Sequence, residues 1–203
     1  MGLFGRSRSN EPGDRWVVVG LGNPGDKYAR TRHNAGVITL DELLSRTHSN
    51  LKRHKSGCAI AETGFGEGRM VLAKPMSYMN ESGRPVRELV RWYKVPDEQV
   101  IVLHDELDIP FEEVRIKIGG GTAGHNGVSS VASHLGSKNF LRVRIGVGRP
   151  RGRQDPADYV LSDFSSSERK ELDFILQAAA DAVERIVEVG AERAMNEVNT
   201  RQT

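Results

Sequence analysis

Short aliphatic runs that end abruptly in turns, each followed by a segment of helical period, constrain this 203-residue chain more than any other feature. Residues 16–21 form a β-branched run that closes on Gly20-Leu21-Gly22, and residues 100–104 form a second such run. Neither alternates with polar residues, so each predicts a buried strand. Helical spacing follows them. Val37, Ile38, Leu40, Leu43 and Leu44 predict a helix over 34–46; Val86, Leu89, Val90 and Tyr93 predict another over 82–93, stopped before Pro96. Strand alternating with helix is the signature of an α/β chain.

The remaining segments fill in the class. Residues 58–61 and 69–73 read as two strands across a Gly-rich turn, Gly64-Phe65-Gly66-Glu67-Gly68. Val114, Ile116 and Ile118 point one way and Arg115 and Lys117 the other; Leu141, Val143 and Ile145 repeat the pattern against Arg142 and Arg144. A helix over 127–135 lies between them. Ser165-x-x-Glu168 makes a capping box for a last helix, with a stripe of Leu172, Ile175, Leu176, Ala179, Val183 and Ile186 and a stop at Gly190. Residues 47–57 are polar and basic, a surface connection. With no internal repeat and no break in composition, we expect one α/β domain over 15–203: a twisted mixed, largely parallel sheet flanked by helices. Residues 1–14 are expected to be a loose basic tail.

Charge is unevenly spread although the net is only +2. Residues 1–153 carry 24 Lys and Arg against 16 Asp and Glu, whereas residues 154–203 carry 5 against 11. A basic body with an acidic end favours a polyanionic partner on the body. The single cysteine, Cys58, excludes an intrachain disulfide framework and fits a reducing compartment. No run approaches the roughly 20 apolar residues of a membrane-spanning helix. A cytoplasmic protein with no membrane partner is expected.

Familiar catalytic signatures are missing: no Gly-x-Ser-x-Gly elbow, no His-Glu-x-x-His, no Walker loop. Asp105, Glu106 and Asp108 could hold Mg²⁺, but carboxylates in a turn after a strand are more often cap and turn residues, and no metal or cofactor is expected. Three segments carry the polar residues that chemistry needs. They are Gly20-Leu21-Gly22-Asn23-Pro24-Gly25-x-x-Tyr28-x-x-Thr31-Arg32-His33-Asn34-Ala35-Gly36, Lys74-Pro75-x-x-Tyr78-Met79-Asn80-x-Ser82-Gly83 and Gly119-Gly120-Gly121-x-x-Gly124-His125-Asn126-Gly127. Each follows a strand, as does Asp105. If those strands run parallel, Asn23, His33, Asn80, Asp105, His125 and Asn126 meet at one sheet edge. The set holds imidazole, carboxylate and amides but no Ser or Cys nucleophile. That suits a His-activated water with amide donors for a developing oxyanion.

These segments, with Asp105-Glu106-Leu107-Asp108-x-Pro110 and Phe140-x-Arg142-x-Arg144-Ile145-Gly146-x-Gly148, resemble the bacterial peptidyl-tRNA hydrolases from about residue 16 to the final helix. The resemblance implies a metal-independent, single-domain, usually monomeric enzyme that hydrolyses the ester joining a peptide to the 3′-terminal ribose of tRNA. It implies His33 as the base, Asp105 as the carboxylate that orients it, and Asn23, Asn80 and Asn126 as active-site amides. Tyr28 and Met79 would shape the cleft, and His125 would bind substrate beside Asn126. Lys117 and Arg144 match residues that grip the tRNA 5′-phosphate, beyond the acceptor stem and 3′ end. Two positions depart from the family pattern: Glu112 and Ala123 stand where Gly is usual. A non-hydrolytic relative in plant chloroplast intron splicing, and a nucleotide-processing enzyme on the same fold class, are the competing readings; the full His33, Asp105 and triple-Asn set argues against both.

Overall fold

The computed structural model describes residues 15–150 and 152–200. Residues 1–14, the expected loose tail, lie outside the described residues, as do Arg151 and residues 201–203. Seven strands form one sheet in the order β2-β3-β4-β1-β5-β7-β6. They are β1 (Arg15–Gly20), β2 (Lys52–Arg53), β3 (Cys58–Phe65), β4 (Gly68–Pro75), β5 (Val100–Glu106), β6 (Val114–Ile118) and β7 (Leu141–Gly146). The helices are α1 (Ala35–Arg46), α2 (Gly83–Tyr93), α3 (Asn126–Leu135), α4 (Pro156–Val160), α5 (Glu168–Val189) and α6 (Ala191–Thr200). The fold class is α/β, as the sequence pattern requires.

The two runs that do not alternate occupy neighbouring central strands. β1 pairs in parallel with β4 on one side and β5 on the other, and Val17, Val18, Val19 and Val100 to Leu103 are all fully buried. One face carries Val18, Ile101, Leu103 and Val143 against α1, α5 and α6; the other carries Val17, Val19, Val100 and Val102 against α2 and α3. Burying each such side chain contributes roughly 1.5–3 kcal/mol, so both layers are needed to hold the sheet. α1 can reach the strand ends because Gly36 has no side chain. A Cβ there would stand 2.2 Å from the Leu103 carbonyl oxygen and 2.8 Å from the Leu21 amide.

The capping box at the start of α5 is formed reciprocally: Ser165 N–H donates to Glu168 Oε2 at 2.6 Å and Glu168 N–H to Ser165 Oγ at 3.2 Å. Gly190 ends α5. Beyond it the sequence pattern predicts no helix, yet α6 packs on β6. Asn199 explains the docking, because its side chain pairs both the amide and the carbonyl of Ile116 at 2.9 Å and so covers an edge strand. β2 likewise arises in the segment read as a surface connection, and α4 in one where the pattern predicts no element.

Two expectations need correction. The third polar segment does not leave a parallel strand. β6 is antiparallel to β7, with Ile118 opposite Leu141 and Val114 opposite Ile145, so its Gly-rich loop starts at the foot of the sheet. It then climbs back to deliver His125 to the top. Arg142, expected with Arg144 on an exposed basic face, is only 2% exposed. Its guanidinium donates to the carbonyls of Gly119 and Gly121, pinning that returning loop onto β7. The physical reason is simple: a climbing Gly-rich loop has carbonyls and few side chains, and a buried cation satisfies them.

Glu112 and Ala123 both adopt positive φ, at 79° and 50°. A side chain in that region costs roughly 1–2 kcal/mol, partly offset by the extra chain entropy of glycine. Glu112→Gly and Ala123→Gly should therefore each hold or raise stability, by up to about 1 kcal/mol in chemical denaturation. A decrease of more than about 1 kcal/mol in either would show that the side chain makes interactions that outweigh its backbone strain.

Candidate active site

Parallel β1, β4 and β5 end at one sheet edge, and a cavity of about 670 Å³ opens there. His33, in a 3-10 turn (Arg32–Asn34) just before α1, Asn23 after β1, Met79 and Asn80 after β4, Asp105 near the end of β5, and His125 and Asn126 at the start of α3 all line it. Six of the expected polar residues thus converge. Apolar surface comes from Leu107, Val160 and Leu161, the last two from α4 and the residue that ends it.

Asp105 is the hub. Its side chain is 2% exposed and accepts from His33 Nδ1 at 3.0 and 3.1 Å and from His125 Nε2 at 2.9 Å. Burial alone would push the carboxyl up, but the His125 and His33 imidazoles facing it outweigh that and hold it well below the usual carboxylate range. An ionised carboxylate only accepts, so both ring nitrogens facing it carry protons. His125 has a second constraint. As the N-cap of α3, its Nδ1 accepts from the amides of Gly127 (3.1 Å) and Val128 (3.3 Å). A ring nitrogen that accepts bears no proton, so His125 is the neutral Nε2–H tautomer. His33 donates through Nδ1, so in its neutral form the ring's lone pair lies on Nε2.

A third imidazole lies behind these. His104 is fully buried, its Nδ1 lies 2.7 Å from the Asp105 carbonyl oxygen, and its ring packs edge-on against His125 at 4.8 Å. Burial first, then the neighbouring His125, lowers its pKa well below the ordinary value, so it stays neutral and donates through Nδ1. The sequence motifs assign no role to His104, Arg32 or Asn34. Asn34 staples the turn after β1: it accepts from Asn23 N–H at 2.8 Å and donates to Asn23 O at 3.0 Å. Asn23 Oδ1 in turn accepts from the Met79 amide at 2.9 Å, which leaves the Asn23 NH₂ as its end for a ligand. Arg32 is 5% exposed and bonds Ser162, Asp163 and Glu168 while stacking on Tyr159 at 4.2 Å. It therefore ties the turn that carries His33 to the start of α5. The one signal these three residues leave in the sequence is position, each adjacent to a catalytic candidate.

Other expected residues fall less simply. Tyr28 does not line the cavity; it is half-buried in the preceding turn with Lys27 over its ring at 4.6 Å. Arg144 lies close by but is committed to Glu106, with Nε at 3.0 Å and Nη2 at 2.9 Å. Lys117 makes no ion pair among the described residues. Asp105, Glu106 and Asp108 each face a different partner (the histidines, Arg144 and Arg149), so they do not form a cation cage. His33, Asp105 and His125 do offer ligand atoms within 4.8 Å of one another. A metal there would have to strip the protons that join them, so the donor set fits a hydrogen-bonded array better than a coordination site.

The family model for peptidyl-tRNA hydrolase matches residues 17–203. The chain belongs to the peptidyl-tRNA hydrolase family. It is 54% identical to the peptidyl-tRNA hydrolase of Kineococcus radiotolerans over 188 residues, covering 89% of this chain and 95% of that one. It is 55% identical to the one from Mycobacterium ulcerans over 184 residues, covering 90% and 96%. The crystal structure of peptidyl-tRNA hydrolase from Acinetobacter baumannii superposes with a TM-score of 0.86 at 34% identity, covering 93% of this chain and 96% of that one.

A neutral buried histidine has a measurable signature. Below about pH 6.5 the unfolded chain takes up a proton at His104 that the native protein refuses, so the unfolded state binds more protons and stability falls with acidification. The slope is up to about 1.4 kcal/mol per pH unit from this one group. Denaturation titrations between pH 7.5 and 5 should show that slope reduced by about one proton in His104→Gln; an unchanged slope would mean that His104 is protonated in the fold.

Proposed function

We propose that this chain hydrolyses the ester between a peptide and the 3′-terminal ribose of tRNA by a water that His33 activates, with no covalent intermediate and no metal. The observation that carries the reading is the placement of His33, whose Nδ1 is held by Asp105 while its ring lines the cavity. Of the three imidazoles, His104 is sealed and His125 has both nitrogens engaged, while His33 opens on the cavity with Nδ1 held by Asp105. Nε2 takes a proton from water as its oxygen attacks the ester carbonyl. Anionic Asp105 stabilises the imidazolium that forms and keeps the ring from turning. The amide NH₂ groups of Asn23, Asn80 and Asn126 supply donors for the peptide and the developing oxyanion. His33 then returns its proton to the departing ribose oxygen, and the cycle closes with all protons accounted for.

The apolar surface of Leu107, Val160 and Leu161 beside amide donors favours a peptide or N-blocked amino acid over a free α-ammonium, which would have to shed its water. We assign the protein to the cytoplasm, in keeping with a single cysteine, and take it as a monomer, as the family resemblance implies. Lys117 is the better of the two candidate contacts for the 5′-phosphate, because its charge is unpaired. Arg144 shares its charge with Glu106.

Release of an N-blocked amino acid from tRNA, with and without chelator, tests the function directly. Cleavage that survives chelator supports it, and cleavage abolished by EDTA and restored by Mg²⁺ contradicts it. His33→Ala should lower turnover by about 10²–10⁴-fold with tRNA affinity nearly unchanged; Asp105→Asn should lower it less. An unimpaired His33→Ala enzyme would remove His33 from the mechanism. Lys117→Ala should weaken kcat/KM on full-length substrate only. Arg144→Ala should also impair a minimal substrate lacking the 5′ terminus, because it frees Glu106 in the cleft. Equal behaviour of the two variants would contradict the difference in pairing.

A further inference from the structure

The exposed row of α2 takes no part in the active site. Arg84, Arg87 and Arg91 lie three and four residues apart, so they share one face of the helix, and all three are exposed. None of the three side chains makes a hydrogen bond or ion pair among the described residues. The acids on the same helix surface and the turn before it, Glu88 and Glu81, leave them unpaired. Arginines on the opposite face of the sheet, half-buried at 46 and 185 and exposed at 193, behave otherwise. Arg46 pairs with Glu42, Asp181 and Glu184, Arg185 with Glu188 and Glu197, and Arg193 with Glu197.

The row begins four residues after Asn80, which lines the active-site cavity, and extends for about 10 Å along α2. At its far end Trp92, 53% exposed, holds the ammonium of Lys55 3.3 Å from its ring centroid. Beside α2 packs α3, whose sequence contains no Lys, Arg, Asp or Glu and whose outer surface presents Ser133 and His134. Beyond α3 lies a depression of about 630 Å³ lined by Thr122, Ser129, Ser133 and Lys138. The two basic margins, α2 on one side and Lys138 with Lys117 on the other, thus flank a neutral helix that starts at the cleft.

The structure assigns the Arg84–Arg87–Arg91 row, extended by Lys55 on Trp92, as a second phosphate-contacting surface for the double-stranded body of the tRNA whose 3′ end occupies the cleft. The assignment rests on the proposed function, since the occupant is the same molecule. An RNA duplex leaving the cavity over uncharged α3 presents a phosphate strand toward each margin, and unpaired arginines beside it release counterions when they meet phosphate. The row positions the substrate; it touches no reacting atom.

The test is a triple variant, R84Q/R87Q/R91Q, which keeps helix propensity while removing charge. Two readouts are compared with wild type: equilibrium binding of uncharged tRNA across a salt series, and kcat/KM on N-blocked aminoacyl-tRNA and on an N-blocked 3′-end fragment. Binding of full-length tRNA should weaken roughly tenfold at moderate salt, with the log–log salt slope flattened by about 0.9 for each phosphate that is no longer neutralised. Turnover of the fragment should be unchanged. An unchanged slope and affinity would overturn the assignment and leave the row to some other partner. Equal impairment on tRNA and fragment would also overturn it, since the arginines would then act through the cleft or the fold. If the wild-type protein binds tRNA but cleaves neither substrate, the hydrolytic reading fails, and the binding series alone still decides the row.

Discussion

One buried carboxylate organises the protein's working end. Asp105 sits near the carboxyl end of a central strand with two imidazole N–H groups aimed at it, and it is only in that company that an anion is tolerable at 2% exposure. Removing either donor leaves charge buried and under-paired, which costs more than the pair itself contributes. The three elements that bring these groups together are therefore bound to one another through a single atom cluster. The turn before α1 carries His33, β5 carries Asp105, and the start of α3 carries His125. His125 does double service, capping a helix with one nitrogen and donating to the carboxylate with the other.

That arrangement explains features of the fold that look unrelated to chemistry. Gly36 lets α1 approach the strand ends closely enough for His33 to reach Asp105. Arg142, buried on β7, holds a loop that would otherwise have no reason to climb from the foot of the sheet to its top. Arg32 fastens the other flank of the same turn to α5. Each is a polar or small residue in a place where the packing alone would favour an aliphatic one. The charge asymmetry of the sequence is likewise resolved in space. Most of the acidic segment becomes α5 and α6 on one face of the sheet, where Arg185 and Arg193 are ion-paired, while Arg84, Arg87 and Arg91 of α2 on the other face have no acidic partner among the described residues.

Much of this is legible in the sequence, for physical reasons. Strands buried on both faces betray themselves by unbroken Val and Ile, as at 17–19 and 100–102, and a capping box announces α5 at Ser165. The polar residues that converge on the cleft are recognisable because loops at strand carboxyl ends gather. The failures are equally specific. Alternation in β6 and β7 says which residues share a face but not what covers that face, so it predicts an exposed Arg142 where a loop in fact lies over it. Strand direction is a long-range property, and nothing local marks β6 as antiparallel. α6 carries Ala191, Ala194, Met195 and Val198 on its inner side, a stripe too weak to see, and is held by Asn199 on an edge strand 83 residues away in sequence. The tautomer of His125 depends on two backbone amides and a carboxylate, which no spacing rule reports.

The chemistry depends on an imidazole lone pair on Nε2 of His33, the ring that lines the cleft. Nitrogen-15 chemical shifts of the histidine rings in the folded protein near neutral pH read this directly. His33 is expected to be protonated on Nδ1 and bare on Nε2, with His125 the reverse, bare on Nδ1 and protonated on Nε2. A proton on His33 Nε2 with Nδ1 bare, or on His125 Nδ1, would contradict it.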